Sequence, residues 1–189
     1  MKKFVLVTAL SLLFFYCDAQ KTHGFSVGYA PWGFERLRCS GGIFDGDIDE
    51  GFHSFGRPAL KLDFEIRRGG FIQQIGLVYS TVYADYMDST HTIYDKENLR
   101  SVGVFYRPGF TIMPYRRVQI PLFLSVGLNS PFTDYSWNGI LFDIGLMAQL
   151  KVYVTNQLAI YGGYTIQWGA SKAVKTFRHY PDFGILFNF

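Results

Sequence analysis

Apolar and polar residues alternate with a period of two along most of this chain, the spacing of β-strands whose two faces meet different surroundings. The last segment shows it most clearly. Phe183, Ile185, Phe187 and Phe189 share one face, and Asp182, Gly184, Leu186 and Asn188 share the other. Leu158, Ile160, Tyr164, Ile166 and Trp168 alternate with Ala159, Tyr161, Gly163, Thr165 and Gln167. From 140 to 154, Phe142, Ile144, Leu146, Leu150 and Val152 oppose Asp143, Gly145, Gln149 and Lys151. Val118 to Leu128, Val102 to Ile112, Ile75 to Tyr79 and Leu60 to Ile66 repeat the pattern. A first strand over about 23 to 37 is the weakest, with Phe25, Val27 and Tyr29 against Ser26 and Gly28.

Eight strands result, and their links alternate in length. Arg68-Gly69-Gly70, Pro114 to Arg117 and Thr155-Asn156-Gln157 are short, whereas 38–57, 87–98, 129–139 and 170–177 are long. Short turns at one rim and long loops at the other are the pattern of outer-membrane barrels, with the short turns in the periplasm. The even strand number brings both termini to that rim. The predicted fold class is all-β: an eight-stranded antiparallel transmembrane up-and-down β-barrel. Closure follows from the solvent, because hydrocarbon leaves no partner for an open sheet edge.

The first twenty residues have a different character. Met1-Lys2-Lys3 is basic, Phe4 to Tyr16 is almost wholly apolar, and Ala19 is small enough for a signal peptidase. This order predicts a cleaved signal peptide over 1–19 and a barrel over 20–189. The apolar run is shorter than the ~20 residues a spanning helix needs. A lipoprotein reading would acylate Cys17, but Tyr16 before it is bulky. Cleavage removes Lys2, Lys3 and Asp18 and leaves 16 basic against 14 acidic residues. That balance argues against nucleic acid as a partner. It also leaves Cys39 alone, without an internal disulfide partner.

Composition sharpens the picture. Aromatics reach 19%, with 19 Phe, 13 Tyr and 20 Gly, yet no long apolar run occurs after residue 20. An eight-stranded barrel has an interior only just filled by side chains. On the polar faces lie Lys61, Asp63, Glu65, Arg67, Arg107, Asp143 and Lys151, which we expect to form a structural, mutually hydrogen-bonded network in the lumen. Alternation alone also allows a soluble sheet with these charges in water. Trp32, Tyr83, Tyr86 and Trp168 are expected near the outer rim, and Tyr115 and Tyr153 near the inner one, as interfacial aromatics.

The terminal Phe183-Gly184-Ile185-Leu186-Phe187-Asn188-Phe189 resembles the C-terminal signal of outer-membrane barrels, an alternating strand ending in Phe that the barrel-assembly machinery reads. The resemblance implies Phe183, Ile185, Phe187 and Phe189 as the assembly signal. Val118-Gln119-Ile120-Pro121-Leu122-Phe123-Leu124 is similar to the strand-opening pattern of the PorT-like "outer membrane protein β-barrel domain" family. The size is that of OmpA/OmpX-type barrels. The family implies an eight-stranded barrel in the cell outer membrane, in contact with outer-membrane lipid and with no agreed biochemical activity; the anchoring role of its two-domain relatives, which carry a peptidoglycan-binding domain, is not implied.

Candidate chemistry is sparse. Asp45, Asp47 and Asp49 alternate in an acidic loop and could meet a hard cation. Glu50 and Gly56 stand where an EF-hand requires Gly and Glu, so that motif fails and a solvated loop is the default. Ser171, His179 and Asp182 could meet at the outer rim, as a lipid A-modifying deacylase or acyltransferase would need, with His53 and His91 in outer loops. The His-x-Ser-Asn motif of the deacylases is absent. No catalytic residue, metal or cofactor is assigned. A filled lumen disfavours a general pore, which leaves a narrow channel or a subunit of a larger outer-membrane complex as a third reading. The first outer loop, about twenty residues rich in Gly, aromatics and acids, is where an extracellular protein partner is expected; a periplasmic protein partner is the other possibility.

Overall fold

The computed structural model describes residues 21–39, 58–87, 93–114, 116–132, 139–171 and 174–189. The expected signal peptide, most of the first outer loop and Tyr115 lie outside these residues. The strands are β1 (Lys21–Ala30), β2 (Phe34–Cys39), β3 (Ala59–Arg68), β4 (Phe71–Met87), β5 (Ile93–Ile112), β6 (Val118–Phe132), β7 (Leu141–Tyr153), β8 (Leu158–Ala170) and β9 (Val174–Asn188). Each of β3 to β8 pairs antiparallel with its successor, and β1 pairs with β3. The sheet then closes, because β9 pairs with both β1 and β2. β1 and β2 are therefore two halves of one stave, and the wall is an eight-staved closed barrel.

The first stave differs from the expected continuous strand over 23 to 37. Tyr29 pairs with Phe183 and Phe34 with His179, so four residues on one side of the seam face three on the other. One extra residue makes a bulge. Pro31 lies in the gap and Pro181 lies opposite, and neither has an N–H to donate to the ladder. The weak alternation of this stretch has that break as its cause. Elsewhere the strands outrun the expected boundaries. β5 begins at Ile93, β6 runs to Phe132, and β9 begins at Val174.

At the short-turn end, Gly69 has φ 60° between β3 and β4. A two-residue hairpin with positive φ at its first central position matches the right-handed twist of the strands and favours Gly there. The β5–β6 turn uses Met113 at φ 56°, a left-handed conformation that costs a non-glycine residue about 1–3 kcal/mol. The Arg116 N–H donates to the Met113 carbonyl at 3.1 Å and closes that turn. Both described chain ends lie here, tied by Phe189 N–H to His23 O at 2.8 Å.

The alternation sorts residues as the sequence pattern predicts. β3 and β7 alternate strictly between buried and outward positions along most of their length. The distribution is the reverse of a water-soluble core. Among the described residues, 21 polar or charged residues are buried against 12 hydrophobic ones. Large apolar side chains cover the outside of every stave: Phe25 and Val27, Leu60 and Leu62, Ile75 and Leu77, Val102 and Val104, Leu122 and Leu124, Ile144 and Leu146, Ile160 and Trp168, Phe183 and Ile185. Among the described residues, no helix is long and apolar enough to cross a membrane.

Candidate functional site: the ion-paired lumen and its basic mouth

β3 sends Lys61, Asp63, Glu65 and Arg67 into the lumen in a single column, and all four are buried. Arg107, Asp143 and Lys151 join them from β5 and β7. The pairing runs across the barrel. Lys61 Nζ donates to Asp182 Oδ2 at 2.7 Å, with both side chains fully buried. Arg107 Nη1 donates to Asp63 Oδ1 at 2.5 Å. Lys151 pairs with Glu65, and Arg178 with Asp143. Glu65 also accepts from Arg67 at 3.0 Å and from Gln74 Nε2 at 2.8 Å. Aromatic faces back the cations: Arg107 lies 5.1 Å from the Phe105 ring, Arg67 5.7 Å from Tyr153, and Lys61 5.9 Å from Tyr180. Each pairing lets a charge stay buried where it would otherwise be driven out.

Two members of this network are missing from the set expected on sequence. Arg178 and Asp182 are buried partners of Asp143 and Lys61. Counting back by twos from Leu186 gives Asp182, Tyr180 and Arg178 on the inner face, so parity carries the signal. Asp182 already stands on the polar face of the last segment, and Arg178 joins it because β9 runs back to Val174.

Glycines make room for the pairs. A Cβ on Gly76 would run into Asp63 Oδ1 and Arg107 Nη1 together. Gly76→Ala is therefore expected to destabilise the barrel by about 1–3 kcal/mol through overpacking. Urea unfolding of the detergent-folded chain measures this; an unchanged midpoint would show that the pair can shift aside at no cost.

Among the described residues, the inward side chains above the mouth are buried against one another. A cavity of about 10 Å³ lies among Ala59, Val78, Phe105 and Arg178, room for one water at most. An open cavity of about 290 Å³ lies at the short-turn end, lined by Arg67, Arg116, Arg117, Gln119 and Tyr153 among others. Gln119 ties this mouth together. Its Oε1 accepts from Arg67 Nη1 at 2.5 Å, while its Nε2 donates to the carbonyls of Pro114 at 2.8 Å and Arg116 at 3.0 Å.

The remaining candidates do not come together. Asp182 faces inward to Lys61, whereas His179 bonds through Nδ1 to the Tyr164 hydroxyl on the outer surface, at 2.6 Å. Ser171, His179 and Asp182 thus form no triad. His53, His91, Asp45, Asp47 and Asp49 lie outside the described residues, as do the side chains of Tyr83 and Tyr86. Trp32 and Trp168 stand on the outer surface, 55% and 49% exposed. Among the described residues, no three His, Cys, Asp or Glu side chains are grouped as metal ligands.

This architecture defines the class: a small, closed, antiparallel eight-stranded barrel of the kind solved for outer-membrane proteins. The chain is similar in structure to Neisserial surface protein A, with a TM-score of 0.60 and 13% identity over 90% of this chain and 99% of that one. It is also similar to the outer membrane protein OprG from Pseudomonas aeruginosa, with a TM-score of 0.55 and 11% identity over 90% and 96% of the two chains. At such identities the likeness is one of fold. No protein-family model matches the chain, and no curated protein matches it in sequence.

Proposed function

We propose that this chain is an integral outer-membrane β-barrel, exported behind residues 1–19, with a non-enzymatic role as a rigid membrane scaffold that presents its long loops to a partner. One observation carries the reading: the charges are sealed inside while aliphatic and aromatic side chains cover the outside. Soluble monomers rarely expose contiguous apolar patches beyond a few hundred Å², and hydrocarbon is the solvent in which this inversion is stable. In this reading the short turns face the periplasm. The lumen charges Lys61, Asp63, Glu65, Arg67, Arg107, Asp143 and Lys151 are structural, joined by Arg178 and Asp182. The outward Phe183, Ile185, Phe187 and Phe189 serve the barrel-assembly machinery.

The filled lumen supports a scaffold over a diffusion pore. The opposed faces of His179 and Asp182 support a non-enzymatic role over lipid A modification, since a triad is defined by its geometry. Fractionation of cells, with gel mobility compared for unheated and boiled samples, tests the proposal. The expected result is a membrane-bound band that shifts on boiling; a soluble periplasmic protein without a shift would overturn it. Mass spectrometry of lipid A with and without the chain should show one unchanged profile.

A further inference from the structure

We infer that the mouth at the short-turn end is a binding site for a phosphate group, held by the guanidinium groups of Arg116 and Arg117 with Arg67 behind them. Three observations converge there. The first is charge. Among the described residues, the buried ionisable groups are Lys61, Arg67, Arg107, Lys151 and Arg178 against Asp63, Glu65, Asp143 and Asp182, which leaves one base in excess. The excess sits at the mouth, because Glu65 is shared by Lys151 and Arg67. Arg116 and Arg117 add two more positive charges on the adjoining turn, and the three short turns carry no Asp or Glu.

The second observation is preorganisation. Gln119 bonds the Arg67 side chain on one side and the turn carbonyls of Pro114 and Arg116 on the other, and the Arg117 carbonyl accepts from the Tyr153 N–H at 2.8 Å, so the backbone that carries the arginine pair is fixed. Met113 holds the turn in a left-handed conformation. Such strain persists only where the surroundings enforce it, and it gathers at sites of function. Arg67 is itself nine-tenths buried and lines the open cavity, its guanidinium held in place by Gln119, Glu65 and Tyr153. A guanidinium's planar fork of donors fits tetrahedral oxyanions, which it binds in bidentate fashion.

The third is position. Arg116 and Arg117 line two depressions at once: the cavity into the lumen mouth and a shallow one on the outer wall beside Met113 and Val118. Met113 and Val118 are 54% and 44% exposed. The arginine pair thus stands between an aqueous mouth and an apolar wall. A phosphate can reach it from either side, as a free ion or as the headgroup of a phospholipid whose chains lie along the wall. The second route rests on the membrane reading above; the first does not.

The experiment uses the full chain folded in a zwitterionic detergent and, in parallel, in lipid nanodiscs. Calorimetric titration with inorganic phosphate tests the free ion. Immobilisation of spin-labelled phosphatidylglycerol, compared with phosphatidylcholine, tests the headgroup. Saturable binding in either arm, weakened at least tenfold by R116Q/R117Q, supports the site, and the arm that responds identifies the source. Absence of saturable binding in both arms, or full retention in the variant, overturns it. Should the variant fail to show the heat-dependent gel shift of a folded barrel, competition on the unaltered chain decides. Sulfate must displace the phosphate probe while chloride at equal ionic strength does not; equal displacement overturns the site. A chain found to be soluble would fail the membrane reading, while the free-phosphate arm would still decide whether the site exists.

Discussion

Asp182→Ala is expected to lower the stability of the folded barrel by about 3–5 kcal/mol, the cost of leaving one partner of a buried ion pair uncompensated. Lys61 and Asp182 are both fully buried and bonded at 2.7 Å, so Lys61 would keep its charge in the lumen with its counter-charge gone. A double variant separates charge balance from mere packing. Lys61→Met combined with Asp182→Leu removes both charges and keeps the volume filled with apolar atoms. That double variant should recover most of the loss, because a buried pair replaced by hydrophobic groups is often neutral. Urea titration of the refolded chain, read by the heat-dependent gel shift, measures both. Equal destabilisation in the single and double variants would show that shape, rather than charge, governs this layer.

The other large effect concerns the outer face. Leu146 is 58% exposed in the middle of β7, flanked by Leu124 and Ile166 on the neighbouring staves. On a soluble protein, Leu146→Arg at such a site would change stability by no more than about 0.5 kcal/mol. Against hydrocarbon near the bilayer midplane, the same change costs about 2–4 kcal/mol. The expected result is poor insertion into liposomes and a weakened heat-resistant band, with Ile160→Arg behaving alike. Unimpaired insertion of both variants would mean that these positions do not meet lipid.

The faces of the strands were legible because a two-residue period needs no knowledge of the partner strand. Leu60 and Leu62 read as outward, Lys61 and Asp63 as inward, and the structure places them so. The ends of the strands were harder. At the start of β5, Asp95-Lys96-Glu97-Asn98 is polar on both faces, yet its ladder with β4 continues. Where neither face need be apolar, alternation fades although the hydrogen bonds persist. The partners within the lumen were illegible for a different reason. Period two assigns a side chain to a face, but only register and barrel closure decide that Lys61 meets Asp182, 121 residues away. The basic mouth combines both difficulties. It depends on turn residues outside the alternating segments and on Gln119, whose three bonds set it apart from other inward residues only in the folded chain.

The interrupted first stave bears on how the cylinder shuts. β1 and β2 come from the start of the described chain and β9 from its end, so their union spans nearly the full sequence and must await the other staves. The break divides that union into two zippers of six residue pairs each, Gly24–Tyr29 below and Phe34–Cys39 above. A slip of one residue in either would turn its side chains to the wrong face. With one surplus residue between them, the upper zipper can find its own alignment after the lower has locked. The closing seam is thereby set by two short registers instead of one long one.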